Sequence, residues 1–310
     1  MSATPFTPPI AGAGVTARPP LWELPISISV SGNDDLPGLG YSSIHLEDLS
    51  TEIARHLLIG GAHLIYGGDT RATGAGKMVE IFSQLAYQYR SRDDNRQYYF
   101  TSYFHYPSYL ALDAVKLRAF KMNRTAIVNV PPPDWPGVDP QQMIAGDTLE
   151  HRAIRARSIT DMRIRMVAES RGRIVAGGKT CDYGGRVPGI LEEGIFSLQA
   201  NQPVYIIGAM GGAARELARA IEGHGFSFPA NSFHCSGGYK EFVAYYNTRD
   251  AANPIHPDQM ASWCSDYGIE RLASNNGLSV EENRRLFVTP HIPEMLFYIF
   301  KGLHCLTKCK

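Results

Sequence analysis

The sequence predicts an α/β fold, a doubly wound and mostly parallel sheet with helices on both faces. Three observations lead there. Short runs rich in Ile and Val alternate with helical periodicities from residue 25 to residue 222. Most of those runs are continuous in apolar character, as strands covered on both faces are. Glycine then follows strand after strand: Gly32, Gly67 with Gly68, Gly177 with Gly178, and Gly208. In a parallel sheet those turns share one edge, the edge where such sheets bind ligands.

Each element follows from local pattern. Residues 25–30, PISISV, alternate apolar and small polar positions and read as a strand; SGNDDLPGLG after them is loop. A helix over 48–58 carries Leu49, Ile53 and Leu57 on one stripe and stops at Gly60 and Gly61. HLIY is the second strand, and 77–90 a helix with Met78, Ile81, Phe82 and Leu85 inward. QYYFTSYF is read as a strand, TAIVNV at 125–130 as another, and 131–140 as loop. A long arginine-rich helix spans 147–169, RIVAGG is a strand, and 188–200 is a helix opening on proline. PVYIIG is the last core strand, followed by a short helix over 213–221. Residues 1–22, rich in proline and small side chains, are expected to form a mobile arm. Residues 23–310 form one domain, with an irregular extension from about 226 relieved by a helix over 293–303.

Composition narrows the function. Thirty Lys plus Arg balance thirty Asp plus Glu, for a net charge of zero. A dedicated nucleic-acid binder needs a basic excess, so nucleic acid is not the expected partner. Five cysteines without a CxxC pair support neither a disulfide framework nor a zinc knuckle, and His234 beside Cys235 is a weak metal motif. No metal and no cofactor is expected. The start is no signal peptide, and apolar stretches such as 295–300 are too short to cross a bilayer. A cytoplasmic protein without membrane contact is expected.

The stretch GGAHLIYGGDTRATGAGKM at 60–78 looks like a phosphate loop but fits no standard one. A Walker loop ending at Lys77 requires glycine where Arg71 stands and a hydroxyl where Met78 stands. GGKT at 177–180 fails at Arg173, and a dinucleotide pattern from Gly74 fails at Val79. What remains is a glycine turn feeding a helix start, where free amides and the helix dipole favour an anion. The candidate ligand-binding residues on this edge are Ser31, Gly32, Gly67, Gly68, Asp69, Gly74, Gly76, Lys77, Gly177, Gly178, Lys179, Gly208, Gly211 and Gly212. Arg163 lies beside the apolar face of Ile159, Met162 and Met166, within reach of the sheet edge. In GGRVPGILEEGIF, Pro188 and Gly189 open a helix whose first turns hold Glu192 and Glu193. Those acids either stabilise the helix dipole or address a sugar hydroxyl or proton.

Together these motifs resemble the SLOG superfamily, the Rossmann-like group that includes the LOG phosphoribohydrolases and the DprA/Smf proteins. HLIYGGD…GAGKM resembles its glycine-rich second turn, MRIRM the helix carrying the LOG arginine, GGK…GRVPGILEE the PGGxGTxxE signature, and PVYIIGAMGGAA the next strand and turn. NNGLSVEENRRLF and EMLFYIFKGL resemble the tail of branches associated with prokaryotic conflict systems. The resemblance implies a pocket for nucleotides or their derivatives, with Arg163 at the LOG arginine and Glu193 at the catalytic glutamate. Two departures stand out: Ile190 replaces the motif's threonine, and KTCDYGGRV separates the paired glycines from Pro188.

Three functions follow. The first is a sensor module for an ADP-ribose-like or cyclic nucleotide, acting as a homo-oligomer or through a separate effector protein. The second is a LOG-like hydrolase of an N-glycosidic bond, with Glu193 and Arg163 catalytic. The third is a DprA-like single-stranded DNA binder, drawing on the aromatics of QYYFTSYFHYPSY and the arginines of 152–173.

Overall fold

The computed structural model describes residues 18–68, 74–90, 95–144, 148–227 and 238–308. Asp69, the arm up to residue 17, and the His234–Cys235 pair lie outside them. Six strands, β1 (Pro25–Ser31), β2 (His63–Gly68), β3 (Phe100–His105), β4 (Thr125–Val130), β5 (Arg173–Gly177) and β6 (Val204–Ile207), form one sheet in the order β4-β3-β2-β1-β5-β6. Every pairing is parallel, with Ser27 opposite Arg173 and Ser31 opposite Gly177 at the centre.

The helices are α1 (Ser43–Ile59), α2 (Ala75–Gln88), α3 (Ala114–Met122), α4 (Leu149–Glu169), α5 (Gly189–Gln199), α6 (Gly212–Ile221), α7 (Tyr239–Arg249), α8 (Pro257–Asn276), α9 (Val280–Val288) and α10 (Ile292–Lys308). Strand parity sorts them into two layers. Ile26, Ile28, Leu64, Ile174 and Tyr205 face α1, α2 and α10. On the other face Val175 and Ile206 meet α5 and α6, while Ile65 and Tyr103 meet Met162 and Met166 of α4. The winding reverses between β1 and β5, which makes their carboxyl ends the switch point of the sheet.

The structure extends the sequence reading in several places. α1 begins five residues before the start read at residue 48, because Ser42 and His45 cap it reciprocally. α3 is a helix that apolar periodicity missed: only Phe120 is buried, so no stripe marks it. Residues 239–308 are helical rather than irregular. Their periodicity is blurred by a break at Gly268 (φ 71°) and by aromatic side chains buried on several sides. Leu21, placed in the arm by composition, is buried and bonds the carbonyl of Gly60 at 2.8 Å. Cys264 and Cys305 are free, but Cys181 is disulfide-bonded, which corrects the argument from spacing; proximity in the fold decides pairing. No described helix is long and apolar enough to cross a membrane.

Several rim glycines serve packing. A Cβ on Gly208 would stand 2.6 Å from the carbonyl oxygen of Phe287 in α9. Gly208→Ala is therefore expected to cost about 1–3 kcal/mol by overpacking against backbone. Gly32→Ala, with nothing within 4 Å of the new carbon, is expected to stay within about 0.5 kcal/mol. Urea denaturation of the two variants checks the contrast.

Candidate functional site

The parallel sheet brings the predicted glycines to one rim, and their neighbours differ. Gly67 packs on Met162 and Met166, and Gly68 on Val79 and Ser102. Gly177 (φ 65°) abuts the carbonyl of Ser31, which also accepts a hydrogen bond from Gly178 N at 2.8 Å. Gly178 is covered by Ile190, so the residue standing where the signature has threonine acts as an apolar lid on that turn. Gly211 and Gly212 abut Asp35 and Asn33 of the β1–α1 loop. The Asp35 carboxylate accepts from Gly212 N at 2.8 Å, so the start of α6 is held by an anion of the chain itself. Gly32 and Gly74 have open space where a side chain would be. Gly76 is buried in the first turn of α2. Lys77 pairs with Glu47 at 2.6 Å and Lys179 is exposed. Pro188 caps α5, and Gly189 opens it.

Below this rim Arg163, Glu192 and Glu193 come together in a buried ion-pair network. Arg163 Nε donates to Glu193 Oε1 at 3.3 Å and its Nη1 to Glu192 Oε2 at 2.5 Å. The other oxygen of Glu193 accepts from Arg173 Nη1 at 2.8 Å and from the hydroxyl of Ser29. Arg173, fully buried at the start of β5, also donates to Ser29 at 2.6 Å and Ser197 at 2.7 Å. Glu192, fully buried, takes Arg186 at 2.5 Å and the hydroxyl of Thr160 at 3.0 Å. Arg186 continues to the carbonyl of Asn253 at 2.9 Å, beside Asp250, which binds Arg157 at 2.6 Å.

Geometry explains the local sequence. Glu192 and Glu193 are adjacent on α5, so their carboxylates diverge and Arg163 bridges them from α4. The guanidinium fits because Gly189 has no side chain: a Cβ there would meet Arg163 Nη2 at 2.5 Å. That Nη2 has no hydrogen bond among the described residues and faces the start of α5. Sequence reasoning found Arg163 and Glu193 but missed Arg173, Arg186, Ser29 and Thr160. The one signal was for Ser29, in the small polar parity of PISISV, whose serines are buried and of which Ser29 joins the charge cluster. A separate cavity of about 510 Å³ lies at the opposite rim, lined by Trp22, Leu24, Arg171, Pro203 and Leu303 among others. Among the described residues no group of His, Cys, Asp and Glu is arranged to hold a metal ion.

Burial opposes ionisation of Glu192, but Arg186 and Arg163 outweigh it and hold the carboxyl below its ordinary value. Because the folded value is depressed, this contribution is complete above the ordinary glutamate range. It is lost as pH falls through the folded value. Glu192→Gln leaves two buried guanidinium groups short of an anion and is expected to cost about 3–5 kcal/mol. Chemical denaturation across pH checks both: the variant should be less stable at neutral pH and lose less than the parent on acidification.

No curated protein matches the chain. The family model for SLOG cluster2 matches residues 20–286, nearly the whole of the strand–helix alternation and the switch-point rim just described. The chain therefore belongs to the SLOG superfamily, a Rossmann-like and nucleotide-related group, in its cluster2 branch.

Proposed function

We propose that this SLOG domain binds a nucleotide-derived anion, ADP-ribose-like or a cyclic nucleotide, as a sensor in prokaryotic defence or signalling, and does not hydrolyse it. One observation carries the reading. Both oxygens of Glu193 are engaged, one by Arg163 and the other by Arg173 and Ser29. A carboxylate held by two guanidinium groups and a hydroxyl is a poor general base, and releasing it breaks a buried charge pair. The residues that a phosphoribohydrolase uses for chemistry serve here to join α4, α5 and the sheet. Ile190 over Gly178 removes the hydroxyl a phosphate would use at that turn.

The rim still offers polar contacts. Gly32 and Gly74 leave backbone accessible, Lys179 is exposed, and Arg163 Nη2 stands uncommitted beside Gly189 at the α5 amino terminus. Helix starts and a guanidinium edge favour phosphate over a neutral ligand. The signal then passes to a second copy or to a separate effector protein.

Thermal denaturation with ADP-ribose, NAD, cyclic nucleotides and nucleoside monophosphates, paired with chromatography for free base, tests the proposal. A rise in Tm corresponding to about 2.7 kcal/mol at a hundredfold excess over Kd is expected for the cognate class, with no base released. Gly32→Val puts bulk at the β1 terminus where nothing in the protein stands, and should abolish the rise while leaving the unliganded Tm unchanged. Base release that disappears in Glu193→Gln would establish the hydrolase instead.

A further inference from the structure

The two edges of the sheet are finished differently. β6 is buried throughout, with α8 and α9 packed against it. Its outward carbonyl at Val204 is occupied by Asn276 Nδ2 at 3.0 Å, and Asn276 is itself locked to Asn283. At the other edge, β4 turns the carbonyls of Arg124 and Val130 toward β3, where Tyr99 N and Tyr106 N bind them at 2.9 and 3.1 Å. By strand alternation the N–H and C=O groups of Thr125, Ile127 and Asn129 point outward. No described group bonds the backbone of Ile127 or Asn129 on that side. Proteins blunt such an edge with lysine, proline, a bulge or a covering element; TAIVNV has no charge and no proline, and Ala126, Ile127 and Val128 are only half-buried.

The flank of this edge is basic. Residues 114–133 contain Lys116, Arg118, Lys121 and Arg124 and no acidic residue. Arg118 and Lys121 are exposed on α3 and form no ion pair among the described residues, and Arg124 binds a carbonyl, that of Arg96. Val115 and Met122 beside them are 78% and 70% exposed. Pairing of β4 with β4 of a second copy about a two-fold axis would bring these cations against their own images, which is unfavourable. An acidic strand meets the same surface with complementary charge.

We propose that β4 is a docking edge that takes an extended acidic segment of a partner protein as a seventh strand. Backbone hydrogen bonds from Ile127 and Asn129 supply the ladder, and α3 reads the acidic side chains. The proposal is independent of the nucleotide reading, since β4 lies three strands from the β1–β5 switch point.

The probe is a short fluorescent peptide alternating Glu with Val, compared with its Lys counterpart and with a version N-methylated at alternate residues. Binding is read by anisotropy on the full chain, and its site by hydrogen exchange. The Glu peptide should bind, slow exchange at Ile127 and Asn129, and weaken with salt. The Arg118→Glu/Lys121→Glu double variant should weaken it about three- to tenfold. N-methylation, which leaves the protein untouched, should remove binding in one of the two possible registers. Equal binding of the Lys peptide, no protection of β4, or indifference to N-methylation would overturn the proposal. So would a peptide-free dimer that protects the same amides.

Discussion

The structure depends on a network of arginines and carboxylates buried between the sheet and its second helical layer. Arg173, Glu193, Arg163, Glu192 and Arg186 run in sequence from the start of β5 to the α7–α8 connection. Asp250, Arg157 and Asp161 close the outer end. Four cations meet four anions, so the charge balances without a ligand. Desolvating such groups costs several kcal/mol per ion unless remaining donors and acceptors are filled. Ser29, Ser197 and Thr160 fill several of them, while Arg173 Nη2 and Arg163 Nη2 make no hydrogen bond among the described residues. Stability is not the distinctive gain from this arrangement, because well-packed apolar side chains often do as well. The gain is that α4, α5, β1 and β5 accept one mutual placement.

That placement sets the character of the rim. The acids of the α5 signature are bound into the network rather than standing free at the rim. Because Ile190 covers Gly178 and Asp35 holds the start of α6, two of the glycine turns are already satisfied internally. Accessible backbone is left at Gly32 after β1 and at Gly74 before α2.

The C-terminal helices bind the same network into the rest of the molecule. α7 contributes Tyr246, whose hydroxyl donates to Asp250 just beyond the helix, and Asp250 in turn binds Arg157 of α4. α8 and α9 seal the β6 edge through Asn276 and Asn283. α10 covers the first face with Met295, Ile299 and Leu303. The extension is thus part of the domain's core rather than an appendage, and the sheet is closed at one edge as a consequence.

Much of this was legible in the amino-acid sequence. The parallel sheet followed from continuous Ile- and Val-rich runs separated by helices, since strands buried on both faces cannot be polar on one side over long stretches. The glycine rim, and Arg163 and the α5 acids as candidate residues, followed from residue type and order. The sequence by itself determined the strand–helix alternation, the family and the edge on which the turns converge, because those depend on local periodicity and chain direction. Only the tertiary structure decided what each glycine and each charge was for. Whether a bare amide meets a ligand or Phe287, and whether Glu193 meets a sugar or Arg173 and Ser29, depends on contacts between residues 20 to 164 positions apart. Spacing along the chain carries no record of them.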